Sequence, residues 1–586
     1  MKKHLLIVLS IVFALSFVLA ACSDNSSDGA AEDQDQPSPE QTNDQAQDQP
    51  NDQPADGPKE GGVVTYAVDT APEGFLEPGF YGSAVDAELL SFLTEGMFKT
   101  EDDLKTAPNL ATWEESEDHK VYTFHIKEGV KWHNGDELTA EDWAYALEVL
   151  GHPDYSGPRY DNVKDILGID EYHSGKADHI EGVKVVDPYT LQITFKEVKI
   201  NNLDNLWSFP MPKKYYEGIS VKDLPNSDKV RTKAIGLGAF KLKNIVPGES
   251  VEFERYDDYW QGKPLLDGVI VKVIDPSLIS GMMQNGEVDA MGIRPADVEG
   301  LKSASNVQVI EQQGLSYSYI GIDFGHYDKE KGTGVMDNPK FQDKKLRQAM
   351  LYAIDRQSLI NAYLQGFANV ANSPIPSVFW TRAPESELNP YEYNSEKAKE
   401  LLAEAGYKDT DGDGFVEDKD GKPFKINFGH YAGPAAFEGR AQGIIQNLRD
   451  VGLDVQLMTG ALVEFNTYND MKDNDDPQLE LFFGAWGTGS DPDPTGLWGS
   501  KSQWNYGRWV NEESDRLLAE ALSEKAFDEN YRRETYIQWQ KLFNEELPAL
   551  PLWENMDLYA VNKRIQGIHV NSASLLNDVH KWWVTE

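Results

Sequence analysis

Residues 121–147 read Val121-Tyr122-Thr-Phe124-His-Ile126-Lys-Glu-Gly-Val-Lys-Trp132-His-Asn-Gly135-Asp-Glu-Leu-Thr139-Ala-Glu-Asp142-Trp143-Ala-Tyr-Ala146-Leu147. Tyr122, Phe124 and Ile126 share one face of a period-two strand. His-Asn-Gly135 is a turn sequence. Thr139, with an acid three residues on at Asp142, opens a capped helix whose Trp143, Ala146 and Leu147 repeat at helical spacing. A strand, a turn and a capped helix in immediate succession place the chain in the mixed α/β class.

The same signals continue in both directions. After Gly61-Gly62, the residues Val63, Val64, Tyr66 and Val68 begin a strand, so folding is expected to start there. Further strands are expected at 183–186, 191–195, 239–242, 250–254, 269–274 and 422–428, and helices at 344–362, 437–451 and 529–546. Strands and helices alternate without a short repeat, the pattern of an α/β protein with several lobes.

At 586 residues there is material for roughly three to five folding units. With 40% hydrophobic and 11% aromatic residues, the bulk of the chain can bury a large core. Lys and Arg number 54 against 98 Asp and Glu, a formal net charge of −44. A surface that acidic repels polyphosphate and excludes nucleic acid as a partner. A single cysteine excludes a disulfide scaffold and any multi-cysteine metal site.

That cysteine has a telling position. Lys2-Lys3-His4, the apolar stretch 5–19 and Leu19-Ala20-Ala21-Cys22 follow the plan of an export signal. The stretch is short of the ~20 residues of a spanning helix, and no later segment reaches that length. Leu-Ala-Ala-Cys22 resembles a bacterial lipobox, so residues 1–22 are expected to be a lipoprotein signal peptide with Cys22 as the lipidated residue. Two acyl chains on one residue give stable anchoring. Residues 23–60, with eleven acids, one lysine and no periodic apolar residue, are expected to form a disordered acidic tether. It would span ~125 Å fully stretched and about 35 Å as a coil.

Catalytic signatures are missing: there is no Gly-x4-Gly-Lys-Ser/Thr loop, no His-Glu-x-x-His, no Gly-x-Ser-x-Gly and no Gly-x-Gly-x-x-Gly. The chain is therefore expected not to be an enzyme and to need no cofactor. One acidic run stands out, Asp409-Thr-Asp411-Gly-Asp413-Gly-Phe-Val-Glu417-Asp-Lys-Asp420. Counted from Asp409, its oxygens fall at positions 1, 3, 5, 9 and 12 of a calcium loop, with Asp420 in place of the usual Glu. A structural calcium held by Asp409, Asp411, Asp413 and Asp420, and a solvated acidic turn, both remain open.

The run from Pro108-Asn-Leu-Ala-Thr-Trp113 through Tyr122–Asp142 resembles the signature of family 5 extracellular solute-binding proteins, the peptide receptors of ABC importers. Gly236-Leu-Gly-Ala-Phe-Lys-Leu242, Arg255-Tyr-Asp-Asp-Tyr-Trp260, Asn285-Gly-Glu-Val-Asp289, residues 347–356, Asp491-Pro492 and Leu547-Pro-Ala-Leu-Pro551 match the same family in the same order. The resemblance implies a two-lobed, periplasmic-binding-protein-like fold of type II, a Venus flytrap, with an additional subdomain inserted in lobe I. On this chain, lobe I would be 61–87, 208–317 and 556–586, the insert 88–207 and lobe II 318–555. The partners implied are an oligopeptide ligand and ABC permease subunits driven by separate ATPases, with the receptor a monomer. The location implied is the outer face of a Gram-positive-type cell membrane, through Cys22.

By the same resemblance, ligand contacts are expected from Tyr81, Gly82 and Ser83 and from Ala485, Trp486, Gly487 and Thr488. Trp504, Asn505 and Tyr506 would line a pocket. In enteric relatives an aspartate three residues after the tryptophan and an arginine three before it hold the peptide's ends; here those places are Gly489 and Phe483. That substitution points to a longer oligopeptide held along its middle, with Asp491 or Asp493 as a substitute partner for an amino group. Dipeptide, glutathione, haem, a nickel complex or a signalling peptide are the alternative cargoes, and a secreted hydrolase is the alternative of another class.

Overall fold

A computed structural model describes residues 57–585. The signal 1–22 with Cys22 and tether residues 23–56 lie outside the described residues. Of the tether's end, Glu60 pairs with Lys263 at 2.6 Å. Among the described residues no helix is long and apolar enough to cross a membrane.

The strand expected after Gly62 forms as Val63–Val68. It lies parallel to Gly268–Val273 on one side and to Ala290–Gly292 on the other. These belong to an eleven-stranded sheet, whose other end runs Asp454–Leu457, Lys425–Gly429, Leu481–Gly487. Two long strands, Val307–Ile322 and Ala549–Asn562, join the ends. They pair antiparallel from Val307↔Asn562 to Gly321↔Ala549, with a register shift between Gln313 and Tyr317. On one side of that shift, Ala549–Asn562 is flanked by Ala290–Gly292; on the other it is flanked by Ala368–Val370, while Val307–Ile322 takes Leu481–Gly487 as its second neighbour.

Each half of the sheet has its own core. Val64, Leu89, Phe253, Val269 and Trp582 pack in the first, and Ile320, Leu346, Ile426, Ile444 and Leu550 in the second. A two-lobed α/β fold with one shared pair of strands is the result. A four-stranded antiparallel sheet, ordered Ala111–Glu115, Val121–Ile126, Thr190–Thr194, Val183–Asp187, stands apart as the inserted subdomain. Its core includes Phe124, Trp143, Leu147 and Ile193, with the Phe124 and Trp143 rings edge to face at 4.8 Å.

The helix expected after Thr139 runs Ala140–Gly151. Asp142 accepts from the Thr139 backbone N–H at 3.0 Å, as a capping box requires, and also from Trp132 Nε1 at 3.3 Å and the Lys213 N–H at 3.0 Å. The turn before it is stitched to the first half of the molecule by the Tyr256 hydroxyl, which donates to the Trp132 carbonyl at 3.1 Å, and by His133. His133 Nδ1 accepts from the Gly236 N–H at 3.0 Å, and its Nε2 lies 2.9 Å from the Gly238 carbonyl, to which it donates. Gly238 N–H in turn reaches the Leu93 carbonyl at 2.9 Å, the end of helix Ala84–Leu93. A side chain at Gly236 would put its Cβ 1.9 Å from the Leu93 carbonyl oxygen. Burial pushes the His133 imidazole down to about 4, so the neutral tautomer is the one built in.

Two sequence expectations change. The single helix expected over 344–362 is two, Lys344–Ala353 and Arg356–Tyr363. Asp355 caps the second by accepting from the Ser358 N–H and Oγ, which ends the first. The expected boundary between 87 and 88 falls inside helix Ala84–Leu93, whose Leu89, Leu90, Phe92 and Leu93 pack into the first core. The insert's own core extends beyond 207 to Leu237.

Gly236→Ala is expected to cost about 2 kcal/mol or more, because backbone must shift to admit the methyl; a melting temperature within a degree of the parent would contradict it. The His133 contribution is fully present above its unfolded value near 6.5 and is lost as pH falls through about 4. His133→Asn should flatten the acid limb of a melting-temperature profile between those values.

Candidate functional site

Strand Leu481–Gly487 is paired with Val307–Ile322 along its whole length, from Leu481↔Ile322 to Gly487↔Ser316. On its other side, Lys425–Gly429 pairs only at Leu481 and Phe482. Residues 483–487 therefore present an open sheet edge. Which groups face that edge follows from the ladder's alternation. Thr488 N–H bonds the Leu315 carbonyl and the Glu480 carbonyl receives the Asp323 N–H, so even-numbered residues point into the sheet. Phe483, Ala485 and Gly487 point their N–H and C=O outward. The Phe483 carbonyl is taken by the Tyr468 hydroxyl at 2.7 Å. Ala485 and Gly487 are exposed, with two donors and two acceptors aimed at whatever lies alongside.

Aromatic and basic groups surround the inner end. The Arg440 guanidinium sits 4.0 Å from the Phe483 ring and 4.2 Å from Phe437. It donates to His430 Nε2, at 3.1 Å from Nε, and burial followed by Arg440 itself pushes that imidazole down to about 3. The sequence reading placed no cation at 483; the fold brings one there from helix Ala436–Arg449. No local signal marks Arg440 for this position.

The outer end is acidic. Gly487, Thr488 and Asp491 line a cavity of about 230 Å³ with Ile375, Phe379 and Leu497. Asp491 is bound to Arg532 Nη2 at 2.6 Å, with both side chains largely buried. Burial works to lower the Arg532 value, but Asp491, Tyr536 and Asp204 together outweigh it and the guanidinium is held firmly charged. Asp493, bonded to the Thr495 N–H and Oγ1, is pushed up to about 6 by burial and by Asp491.

The expected ligand residues are thus partly gathered. Trp486 stacks on Tyr506 at 5.6 Å with the rings 9° from parallel, and Trp504 stands edge-on to Trp486 with 46% of its surface exposed. Asn505 does not line a pocket: it is 1% exposed and its amide donates to the Gly499 and Trp509 carbonyls. Asp491 Oδ1 is held by Arg532, so only its Oδ2 is left to meet an amino group. Tyr81 lines a different cavity, of about 420 Å³, with Glu95, Asp102 and His569. The Arg159 guanidinium covers the Tyr81 ring at 4.2 Å, and Ser83 caps helix Ala84–Leu93 by accepting from the Asp86 N–H. Gly82 precedes that cap.

In the acidic loop, Asp409, Asp411 and Asp413 bring carboxylate oxygens within 4.8 Å of one another. Asp420 does not join them; its carboxylate lies 3.9 Å from Lys422 Nζ. Asp409 already accepts from the Gly412 and Gly414 N–H groups and Asp413 from Phe415, so the turn closes on its own bonds.

The family model described as bacterial extracellular solute-binding proteins, family 5 Middle, matches residues 105–508. The chain is 28% identical over 501 residues to the oligopeptide-binding protein OppA of Lactococcus lactis subsp. cremoris, covering 82% of each. It is 29% identical over 509 residues to the oligopeptide-binding protein AppA of Bacillus subtilis, covering 86% of this chain and 87% of that one. Among solved structures, Bacillus subtilis AppA in complex with a nonapeptide superposes with a TM-score of 0.71 at 27% identity. That match covers 90% of this chain and all of the other. Lactococcal OppA, complexed with an endogenous peptide in the closed conformation, gives 0.76 at 26% over the same coverage.

Removing one partner of the buried Asp491–Arg532 pair should cost about 3–5 kcal/mol, because the other charge is left stranded. Replacing both, as in Asp491→Leu with Arg532→Met, should recover most of that loss. A thermal-unfolding double-mutant cycle with purely additive effects would show that the pair is not coupled.

Proposed function

Because this chain belongs to the bacterial extracellular solute-binding proteins of family 5, we propose that it captures extracellular oligopeptides between its two lobes and delivers them to an ABC permease with separate ATPases. The observation that carries this reading is the open edge at Ala485 and Gly487. A peptide laid there becomes an added strand, its amides and carbonyls bonded to main chain and its side chains left to pockets. Main-chain bonding does not read sequence, which suits a receptor for many peptides. The names of the relatives and the peptides bound in their structures support the same cargo. The role is binding, with no step of covalent chemistry assigned.

Anchoring belongs to the proposal too: a diacylglyceryl thioether on Cys22 would hold the receptor at the outer face of the membrane, with the acidic tether giving it reach. Cys22→Ser should release it into the medium; a variant that stays with the cells would refute the anchor.

Calorimetry with peptides of graded length should show one-to-one binding that tightens from dipeptide to beyond pentapeptide and tolerates N-acetylation. Tightest binding by free dipeptides would overturn the length assignment. Ala485→Pro removes one outward N–H without touching the ladder to Val307–Ile322. It should weaken binding by ~1 kcal/mol while leaving the melting transition in place. Unchanged affinity would show that the peptide does not lie on this edge.

A further inference from the structure

The inserted subdomain does not hang free of the second lobe. Lys105 Nζ pairs with Glu529 at 2.8 Å, the His119 ring stacks on Phe527 at 3.8 Å, and the Ile200 N–H reaches the Leu522 carbonyl at 3.3 Å. Between these contacts lies a cavity of about 300 Å³, walled by Trp113, Asp204 and Glu115 of the insert and by Trp380, Asp491 and Arg532 of the second lobe. Asp491 and Pro492 are also walls of the 230 Å³ cavity that begins at Gly487. The two cavities therefore share a partition at the outer end of the open edge. Gly487 lines the nearer cavity, so a peptide residue laid beside it stands next to that partition.

The charges in the seam do not balance. Glu529 is satisfied by Lys105 and Asp491 Oδ1 by Arg532. Glu115 accepts from the Tyr122 hydroxyl at 2.5 Å and lies 2.9 Å from His119. Asp204 accepts from the Thr106 hydroxyl, at 2.5 Å, and faces the cavity with Asp491 and Arg532. Asp491 Oδ2 is buried without a partner, and so is Nε of Arg532, whose side chain is 8% exposed. A buried polar group left unpartnered costs free energy until something bonds it. What fits is a ligand with a cation for the two carboxylates and a carbonyl for Arg532 Nε, its aliphatic stem beside Trp113 and Leu203; the Trp380 ring is already covered by Lys105 at 5.6 Å.

We propose that this seam cavity is a subsite for a cationic side chain, lysine or arginine, of the bound peptide. The proposal rests on the peptide reading above and narrows it: the receptor is general toward backbone yet selective at one position, and the inserted subdomain supplies the selecting carboxylate.

The test is calorimetry with an N-acetylated peptide set in which each position in turn carries lysine, norleucine or glutamate, against the parent and Asp204→Asn. Acetylation keeps the α-ammonium from supplying the charge. At one position the lysine peptide should bind about tenfold tighter than its norleucine twin, and glutamate should be worst. In Asp204→Asn the lysine-to-norleucine ratio should fall below about threefold; the ratio is read, so a general loss of affinity does not count. A ratio near one at every position in the parent, or the same ratio in the variant, overturns the subsite while leaving peptide binding intact. A preference that appears only with free N-termini assigns the charge to the terminus and also overturns it. Failure of every peptide to bind overturns the peptide reading, and the subsite with it.

Discussion

Among the described residues, the ladder between Val307–Ile322 and Ala549–Asn562 is the only stretch of backbone pairing that both halves of the sheet use. Each strand enters one half with one set of neighbours and leaves it with another, and the change happens at the register shift between Gln313 and Tyr317. Two cores that share a single pair of strands can rotate about that pair without either core being repacked, which is the mechanical requirement for hinge closure. The open edge at Ala485 and Gly487 hangs from the same ladder, past Phe482, the last residue paired with Lys425–Gly429. Binding surface and hinge are thus parts of one sheet.

Polarity runs along that edge. Arg440 sits beside Phe483 at its inner end, and Asp491, Asp493 and Asp204 gather at its outer end with Arg532 as the main counter-charge. Asp204 is likewise pushed up, by burial and then by Asp491. These acids are crowded by one another, and a cation arriving from outside relieves that crowding, whereas an anion meets it in full. A chain with a formal charge of −44 sets the same bias at long range.

Much of the fold was legible in local pattern. Alternation marked Val63–Val68 and Val121–Ile126, the Thr139/Asp142 box marked its helix, and Glu529–Glu546 ran to both expected ends. What failed turned on which partner a side chain takes. Asp355 sits in an otherwise helical apolar run, and only its bonds to Ser358 reveal the break. Asn505 read as a pocket residue because Trp504 and Tyr506 flank it, but its amide is spent on Gly499 and Trp509 inside the fold. Asp491 finds its partner 41 residues away. The edge itself could be named only as a glycine-rich segment around Trp486, since its openness depends on where a strand fifty residues earlier stops pairing.

The order of strands across the sheet differs sharply from their order along the chain. Val63–Val68 lies beside Ala290–Gly292, whose other neighbour is Ala549–Asn562, and Ile565–Gln566 closes against Trp583–Val584 near the end of the chain. While the chain is being made, the middle of the sheet is a gap that only its last segment can fill. Contacts this distant in sequence form slowly. The four-stranded sheet of 111–194 can close from its own segment, whereas the eleven-stranded sheet becomes continuous only once Ala549–Asn562 has been made.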